Sequence, residues 1–247
     1  MTTVLLVRHG RTGANASGQL AGRSPGVRLD ERGEQQVVDL GSRMSALRLD
    51  LVVSSPLERA RQTAEAILVG QGRQAGRRRR PDGDPGRGAA GPRPLLEVDD
   101  RVSECDYGSW TGGELRTLAK DPLWKVVQSH PSAVTFPEGE SLAQMQARAV
   151  AAIRYWNERV GPRGIYAVVS HGDIIKSILA DALGMHLDQF QRIHVDPASV
   201  SVVRYTETRP FVLRTNDVGG DLAGFAAPRR RGRRSSDAAV GGGSGSG

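Results

Sequence analysis

The chain has 247 residues, a formal charge of +7 and a single cysteine, Cys105. That length suits one large α/β domain or two small ones, and a lone thiol excludes an internal disulfide and fits a reducing, cytoplasmic setting. No run of about 18 apolar residues exists and no basic stretch leads into an apolar one at the N-terminus, so neither a membrane span nor a signal peptide is expected.

The charge is unevenly placed. Residues 70–94 hold seven arginines against two aspartates, a local +5, and residues 219–247 hold five against two, a local +3. The remainder carries −1, so the body of the protein is close to neutral. A strong basic balance is the footprint of a nucleic-acid partner. Here it sits in two segments rich in Gly, Pro and Arg, so nucleic acid is not the expected partner. Both segments read as disordered, because they cannot bury enough apolar surface to offset their ordering entropy. The division expected is a folded domain over 1–218, interrupted by the loop at 70–94, and a tail over 219–247. The closing GGGSGSG has the composition of a linker.

Strand and helix signals alternate along the domain. Thr3–Val7 is a short apolar strand. Asp30 caps a helix running to about Leu47, with Val37, Leu40, Met44 and Leu47 at helical spacing. Leu51–Ser54 is a second strand, and Pro56 suits the first turn of a helix through Leu68. A short strand lies near Leu95–Val98. Ser141 and Gln144 form a capping box for a helix to about Arg159. Ile165–Ser170 is a strand, followed by a helix over Asp173–Leu183. Val200–Tyr205 and Phe211–Arg214 read as a closing hairpin with Pro210 at its turn. Such alternation predicts an α/β fold with a mostly parallel sheet covered on both faces. Ligands of such sheets bind beyond the carboxyl ends of the strands.

Those ends carry a consistent chemistry. The first strand ends Arg8-His9-Gly10, the second Ser54-Ser55-Pro56 with Arg59 next, and the strand at Ile165 ends Ser170-His171-Gly172. Arg101-Val102-Ser103-Glu104-Cys105-Asp106-Tyr107-Gly108 follows the 70–94 segment. If the strands are parallel neighbours, two histidines, two arginines and a glutamate converge. Arginine matches phosphate oxygens with a planar fork of donors. Neutral imidazole is a nucleophile near neutral pH. A carboxylic acid can protonate a leaving alkoxide and then activate water. Glycine after each histidine permits close approach of a ligand to the backbone. The other histidines, His130, His186 and His194, show no clustered ligand pattern, so no metal is expected.

Arg8-His9-Gly10 with Thr12 and Asn15 resembles the signature of the histidine phosphatase superfamily, the phosphoglycerate-mutase-like proteins. Ser55–Ala60 with Gln62-Thr63, then Glu104–Gly108, then Ser170-His171-Gly172 resemble its other blocks, in order, over residues 3–215. The resemblance implies a three-layer α/β/α sandwich. It implies His9 as the nucleophile that becomes phosphohistidine, with Arg8, Arg59 and His171 around the phosphoryl group. It implies Glu104 as the proton donor, and Asn15, Gly22, Tyr107 and Gly172 lining the phosphate and substrate pocket, without cofactor. Arg11 departs from the glutamate or glutamine that many members carry; it is either a cationic rim or a solvated side chain. Thr12, and the lack of a His-Asp dipeptide, separate the chain from the secreted acid-phosphatase and phytase branch.

The implied activity is phosphomonoester hydrolysis of a small phosphorylated metabolite, with phosphoglycerate mutase or another phosphomutase as the alternative. True phosphoglycerate mutases grip the substrate carboxylate with a lysine and an adjacent arginine pair. Between Gly113 and Ser141 this chain has only Arg116, Lys120 and Lys125. Glu140 is a second acid placed to reach the cleft, and Cys105 reads as a small buried hydrophobe. Trp110 and Trp124 suit either a cleft wall or the core. A homodimer is admitted, with no feature that specifies it.

Overall fold

The computed structural model describes residues 1–77 and 94–219. Its centre is β1 (Thr2–Arg8), buried almost throughout. Successive side chains of a strand face opposite ways. Val4 and Leu6 therefore enter one core, and Leu5 and Val7 the other. β2 (Leu51–Ser54) and β4 (Ile165–Ser170) divide in the same manner: Val53 and Val168 join the first core, Val52 and Val169 the second. A strand apolar on both faces must be covered on both. α2 (Glu31–Met44) and α3 (Glu58–Arg77) cover one face; α6 (Leu142–Val160) and α7 (Gly172–Ala182) cover the other. The expected three-layer α/β/α sandwich is the result.

With β3 (Leu95–Val98), β5 (Val200–Tyr205) and β6 (Pro210–Asp217), the sheet has six strands in the order β3-β2-β4-β1-β5-β6. β3, β2, β4 and β1 run parallel to one another, β5 pairs antiparallel with β1, and β6 antiparallel with β5. The expected caps form. Asp30 accepts from Gly33 N–H at 2.8 Å, and Ser141 and Gln144 make a reciprocal capping box on α6.

Several boundaries differ from expectation. α2 ends at Met44, short of Leu47. α3 begins at Glu58, after Pro56, and runs to Arg77, well beyond Leu68. Residues 70–77, expected as loop, are thus helical, and α2 fixes the first two of them, Gly70 and Gln71. A Cβ built on Gly70 would stand 2.1 Å from Gly41 O, so this glycine marks a close helix crossing and not a break. Gln71 then donates to Met44 O at 2.8 Å and accepts from Leu49 N–H at 3.3 Å, satisfying the end of α2. The rest of the loop expected at 70–94, apart from Pro94, and the tail expected from 219, apart from Gly219, lie outside the described residues. Pro210 is the first residue of β6, not a turn residue; its missing N–H is tolerated at a strand start. Short helices α1 (Gly13–Ser17), α4 (Leu115–Leu118) and α5 (Pro122–Ser129) carry no clear periodic signal in the sequence. Among the described residues no helix is long and apolar enough to cross a membrane.

The helix crossing gives a direct prediction. Gly70→Ala should destabilise the fold by about 1–3 kcal/mol through overpacking. Gly13→Ala, where an added Cβ meets nothing within 4 Å, should be neutral or stabilising by up to about 1 kcal/mol. Thermal unfolding of both variants checks this; equal midpoints would contradict the crossing.

Candidate active site

The carboxyl ends of β1, β2 and β4 are level, because Arg8 pairs with Ser170 and Ser54 with Val169. The next residues out are His9, His171 and Ser55. Backbone bonds extend the ladders to hold them, His9 N–H donating to Ser170 O at 3.0 Å and Ser55 N–H to Val169 O at 2.9 Å. The two imidazoles leave the sheet as neighbours, with ring centroids 5.1 Å apart.

His9 has a defined tautomer. Its Nδ1 is 2.7 Å from Gly10 O, and a carbonyl can only accept, so Nδ1 carries the proton and Nε2 keeps its lone pair. Arg59 Nε–H donates to that Nε2 at 3.2 Å. Burial lowers the pKa of His9 well below the usual range, and Arg59 and Arg8 lower it further. The ring is therefore neutral at pH 7. Gly10 faces α2, not a ligand: a Cβ there would meet Gly33 O at 2.8 Å. The expected close approach of ligand to this glycine is corrected to a close approach of a helix.

Three more groups surround the ring. Arg59 donates through Nη2 to Gly22 O at 2.7 Å, while its Nη1 is buried and has no hydrogen-bond partner among the described residues. His171 Nε2 lies 2.8 Å from Ser55 Oγ, and its Nδ1 is likewise buried without a hydrogen-bond partner. Burial, then Arg59, push the pKa of His171 down. Arg8 donates to Val195 O at 2.8 Å. Burial brings its pKa down to about 10, against the opposing pull of Glu104, Asp173 and Asp196.

Glu104 follows a single 3₁₀ turn over Asp100–Val102. Its Oε1 accepts from Cys105 N–H at 3.0 Å. Burial first, and Asp173 next, raise its carboxyl pKa to about 7, with Arg59 opposing. Its backbone is braced: Glu104 O accepts from Arg23 Nε at 2.8 Å and from Arg148 Nη2 at 3.1 Å. Arg148 also donates to Arg101 O and Ser103 O.

Of the expected residues, His9, Asn15, Gly22, Arg59, Glu104 and Tyr107 line one cleft, partly open to solvent. Arg8, His171 and Gly172 are not on its walls; they are buried at the carboxyl edge of the sheet and the start of α7. Asn15 Oδ1 accepts from Thr12 N–H and Oγ–H, so its carbonyl caps α1. The phenol of Tyr107 donates to Asp173 Oδ2 at 2.8 Å. Glu140, expected to reach the cleft, instead accepts from Arg148 Nε at 2.9 Å and from Arg23 Nη2 at 3.0 Å. Arg11 pairs with Asp30 at 2.9 Å, which favours neither an anion rim nor a freely solvated side chain. Trp110 is buried in the core, the half-buried Trp124 stacks on it with ring centroids 6.1 Å apart, and Cys105 is buried. Sequence reasoning missed Arg148 and Asp173. The signal for Asp173 was present: an acid beside His171-Gly172 in a helix whose neighbours are apolar.

Comparison with known proteins shows the family and the fold. The family model described as histidine phosphatase superfamily (branch 1) matches residues 4–80 and 88–218. A Hydrogenobacter thermophilus protein called phosphoserine phosphatase 1 is 29% identical over 229 residues, covering 87% of this chain and 92% of its own. A probable phosphoglycerate mutase GpmB of Cronobacter sakazakii is 27% identical, covering 92% and 97%. Bacillus stearothermophilus YhfR superposes with a TM-score of 0.73 at 24% identity, covering 89% and 98%, and shares the fold. Phosphoserine phosphatase of Entamoeba histolytica, solved with 3-phosphoglyceric acid, gives 0.72 at 22% identity, covering 88% and 98%. With the family model spanning most of the domain, and a shared fold beneath it, this chain belongs to branch 1 of the histidine phosphatase superfamily.

Proposed function

We propose that this protein hydrolyses phosphate monoesters through a phosphohistidine on His9. The observation that carries the reading is a neutral imidazole whose Nε2 accepts from Arg59 Nε, beside two buried nitrogens, Arg59 Nη1 and His171 Nδ1, that have no hydrogen-bond partner among the described residues. Buried polar groups are normally hydrogen-bonded; Arg59 Nη1 matches a phosphoryl oxygen in charge and kind, and His171 Nδ1 donates to one in the tautomer in which Ser55 Oγ–H donates to its Nε2.

The reaction follows from the same groups. His9 Nε2 forms a bond to phosphorus as the bond from phosphorus to the leaving oxygen breaks. Glu104 gives its proton to that oxygen, releasing an alcohol. Water then attacks the phosphohistidine, Glu104 takes the proton back, and the nitrogen–phosphorus bond breaks to release phosphate. Arg8, Arg59 and His171 offset the charge on the equatorial oxygens, so positioning and electrostatics supply most of the catalysis. Two arginines provide the charge that a divalent metal provides elsewhere, so the chemistry requires none.

A small phosphorylated metabolite fits the cleft. Arg59 is its cationic side chain among the described residues. A mutase must hold a bisphosphate and exclude water from the phosphoenzyme, and among the described residues lining this cleft there is no further arginine or lysine to anchor a second anionic group. Hydrolysis is therefore preferred over phosphomutase activity. The relatives called phosphoserine phosphatase and phosphoglycerate mutase bracket the two readings. The lone, buried Cys105 suits a cytoplasmic setting.

Two experiments test the assignments. Glu104→Gln should slow formation of phosphoenzyme from an alkyl phosphate by about 10²–10⁴-fold and from a nitrophenyl phosphate much less, because an aryl oxide leaves without a proton. Rapid-quench burst rates on both substrates measure this. Equal losses would reject Glu104 as the acid.

The second concerns pH. The active acid is the protonated one, so kcat/KM on an alkyl phosphate should be full below about 7 and fall as pH rises through that value. The limb should vanish in Glu104→Gln, measured on the residual rate.

A further inference from the structure

Asp173, Lys176 and Tyr107 form a buried polar group that the chemistry above leaves unused. Asp173 stands in the first turn of α7, two residues past His171. Its side chain is 1% exposed, and that of Lys176, one turn later, is 3% exposed. Desolvation largely offsets the attraction of such a pair, so stability alone is a weak reason for it.

Its contacts supply a better one. Lys176 Nζ lies 3.6 Å from Asp173 Oδ1 and donates to Gln191 Oε1 at 3.0 Å, anchoring the pair. Asp173 Oδ2 accepts from the Tyr107 hydroxyl at 2.8 Å. The ring of Tyr107 packs against Gly22, where an added Cβ would stand 3.1 Å from Tyr107 Cδ2. Gly22 O accepts from Arg59 Nη2, and Arg59 Nε donates to His9 Nε2. A continuous line of contacts thus joins α7 to the nucleophile. The Tyr107 hydroxyl is committed to Asp173, so Tyr107 meets the cleft with its ring.

We propose that Asp173 is a positioning residue of this site: held by Lys176, its carboxylate fixes Tyr107 against Gly22, so setting Arg59 against His9, and it opposes a second buried negative charge at Glu104. The proposal rests on the reading of Glu104 as the leaving-group acid. The charged groups acting on Glu104 are Asp173, which disfavours its ionised form, and Arg59 and Arg8, which favour it. Those acting with Asp173 are Lys176, Arg8, Tyr107 and Glu104 itself.

The test uses Asp173→Asn, which keeps an acceptor for Tyr107 and removes the charge, and Tyr107→Phe, which removes only the hydroxyl. In Asp173→Asn the basic limb of kcat/KM on an alkyl phosphate should move down by about one pH unit. The same substrate is used with both proteins, so its own titration cancels. At pH 8 the variant should therefore lose about tenfold on the alkyl phosphate relative to a nitrophenyl phosphate. Tyr107→Phe should weaken inhibition by inorganic phosphate by about threefold to tenfold, the scale of one lost hydrogen bond. The double variant should lose no more phosphate affinity than the larger single loss, since both act along one path.

A limb that stays in place in Asp173→Asn, or phosphate inhibition unchanged in Tyr107→Phe, overturns the proposal. A merely structural role would lower the unfolding temperature and move neither. Should Asp173→Asn fail to fold, Tyr107→Phe decides alone. The limb in Glu104→Gln separates the two readings. If it survives there, the acid assignment has failed. If it vanishes there but does not move in Asp173→Asn, the role of Asp173 has failed.

Discussion

The site depends on one register: Arg8 of β1 opposite Ser170 of β4. Because the strands are parallel and level, His9 and His171 leave the sheet together, and the rings meet at 5.1 Å. A slip by one residue would turn each side chain to the opposite face. The two cores specify against such a slip, since Val4 and Leu6 fill one and Leu5 and Val7 the other. Catalytic geometry is therefore set by apolar packing on both faces of a central strand.

A second constraint acts at His9. The Gly10 carbonyl must stay on Nδ1 for the lone pair to sit on Nε2. Packing against Gly33 of α2, and a hydrogen bond from Gly10 N–H to Thr63 Oγ at 3.1 Å, hold that peptide. Charge balance does the rest. Burial and the arginines keep the imidazole neutral, while burial and then Asp173 raise the Glu104 carboxyl to about 7, so that part of it stays protonated near neutral pH. The proposed nucleophile and acid thus have pKa values driven apart by their environments.

Much of this was legible in the sequence. Arg8-His9-Gly10, Ser54-Ser55-Pro56 and Ser170-His171-Gly172 each follow an apolar run, and the strand-end rule for parallel sheets brings these ends together. The caps at Asp30 and Ser141 follow from local chemistry. What was illegible depends on distant partners. Gly70 reads as a break because its role is set by Gly41, and Gly10 reads as a ligand approach because its role is set by Gly33. Arg148 reads as one more charge on a helix surface, although it braces three backbone carbonyls ahead of the Glu104 side chain. Glu140 reads as a cleft acid because its arginine partners are remote or unremarked in sequence. Asp173 reads as a helix-start acid, and only the fold brings Tyr107 to it.

The central claim is that the backbone of Gly10 selects Nε2 of His9 as the atom that takes phosphorus. Phosphoenzyme trapped under alkaline conditions from an aryl phosphate, digested and examined by ³¹P NMR and mass spectrometry, reports both residue and ring nitrogen. The account predicts acid-labile phosphate on His9 at Nε2 alone. Phosphate at Nδ1, on His171 or on another residue would contradict it.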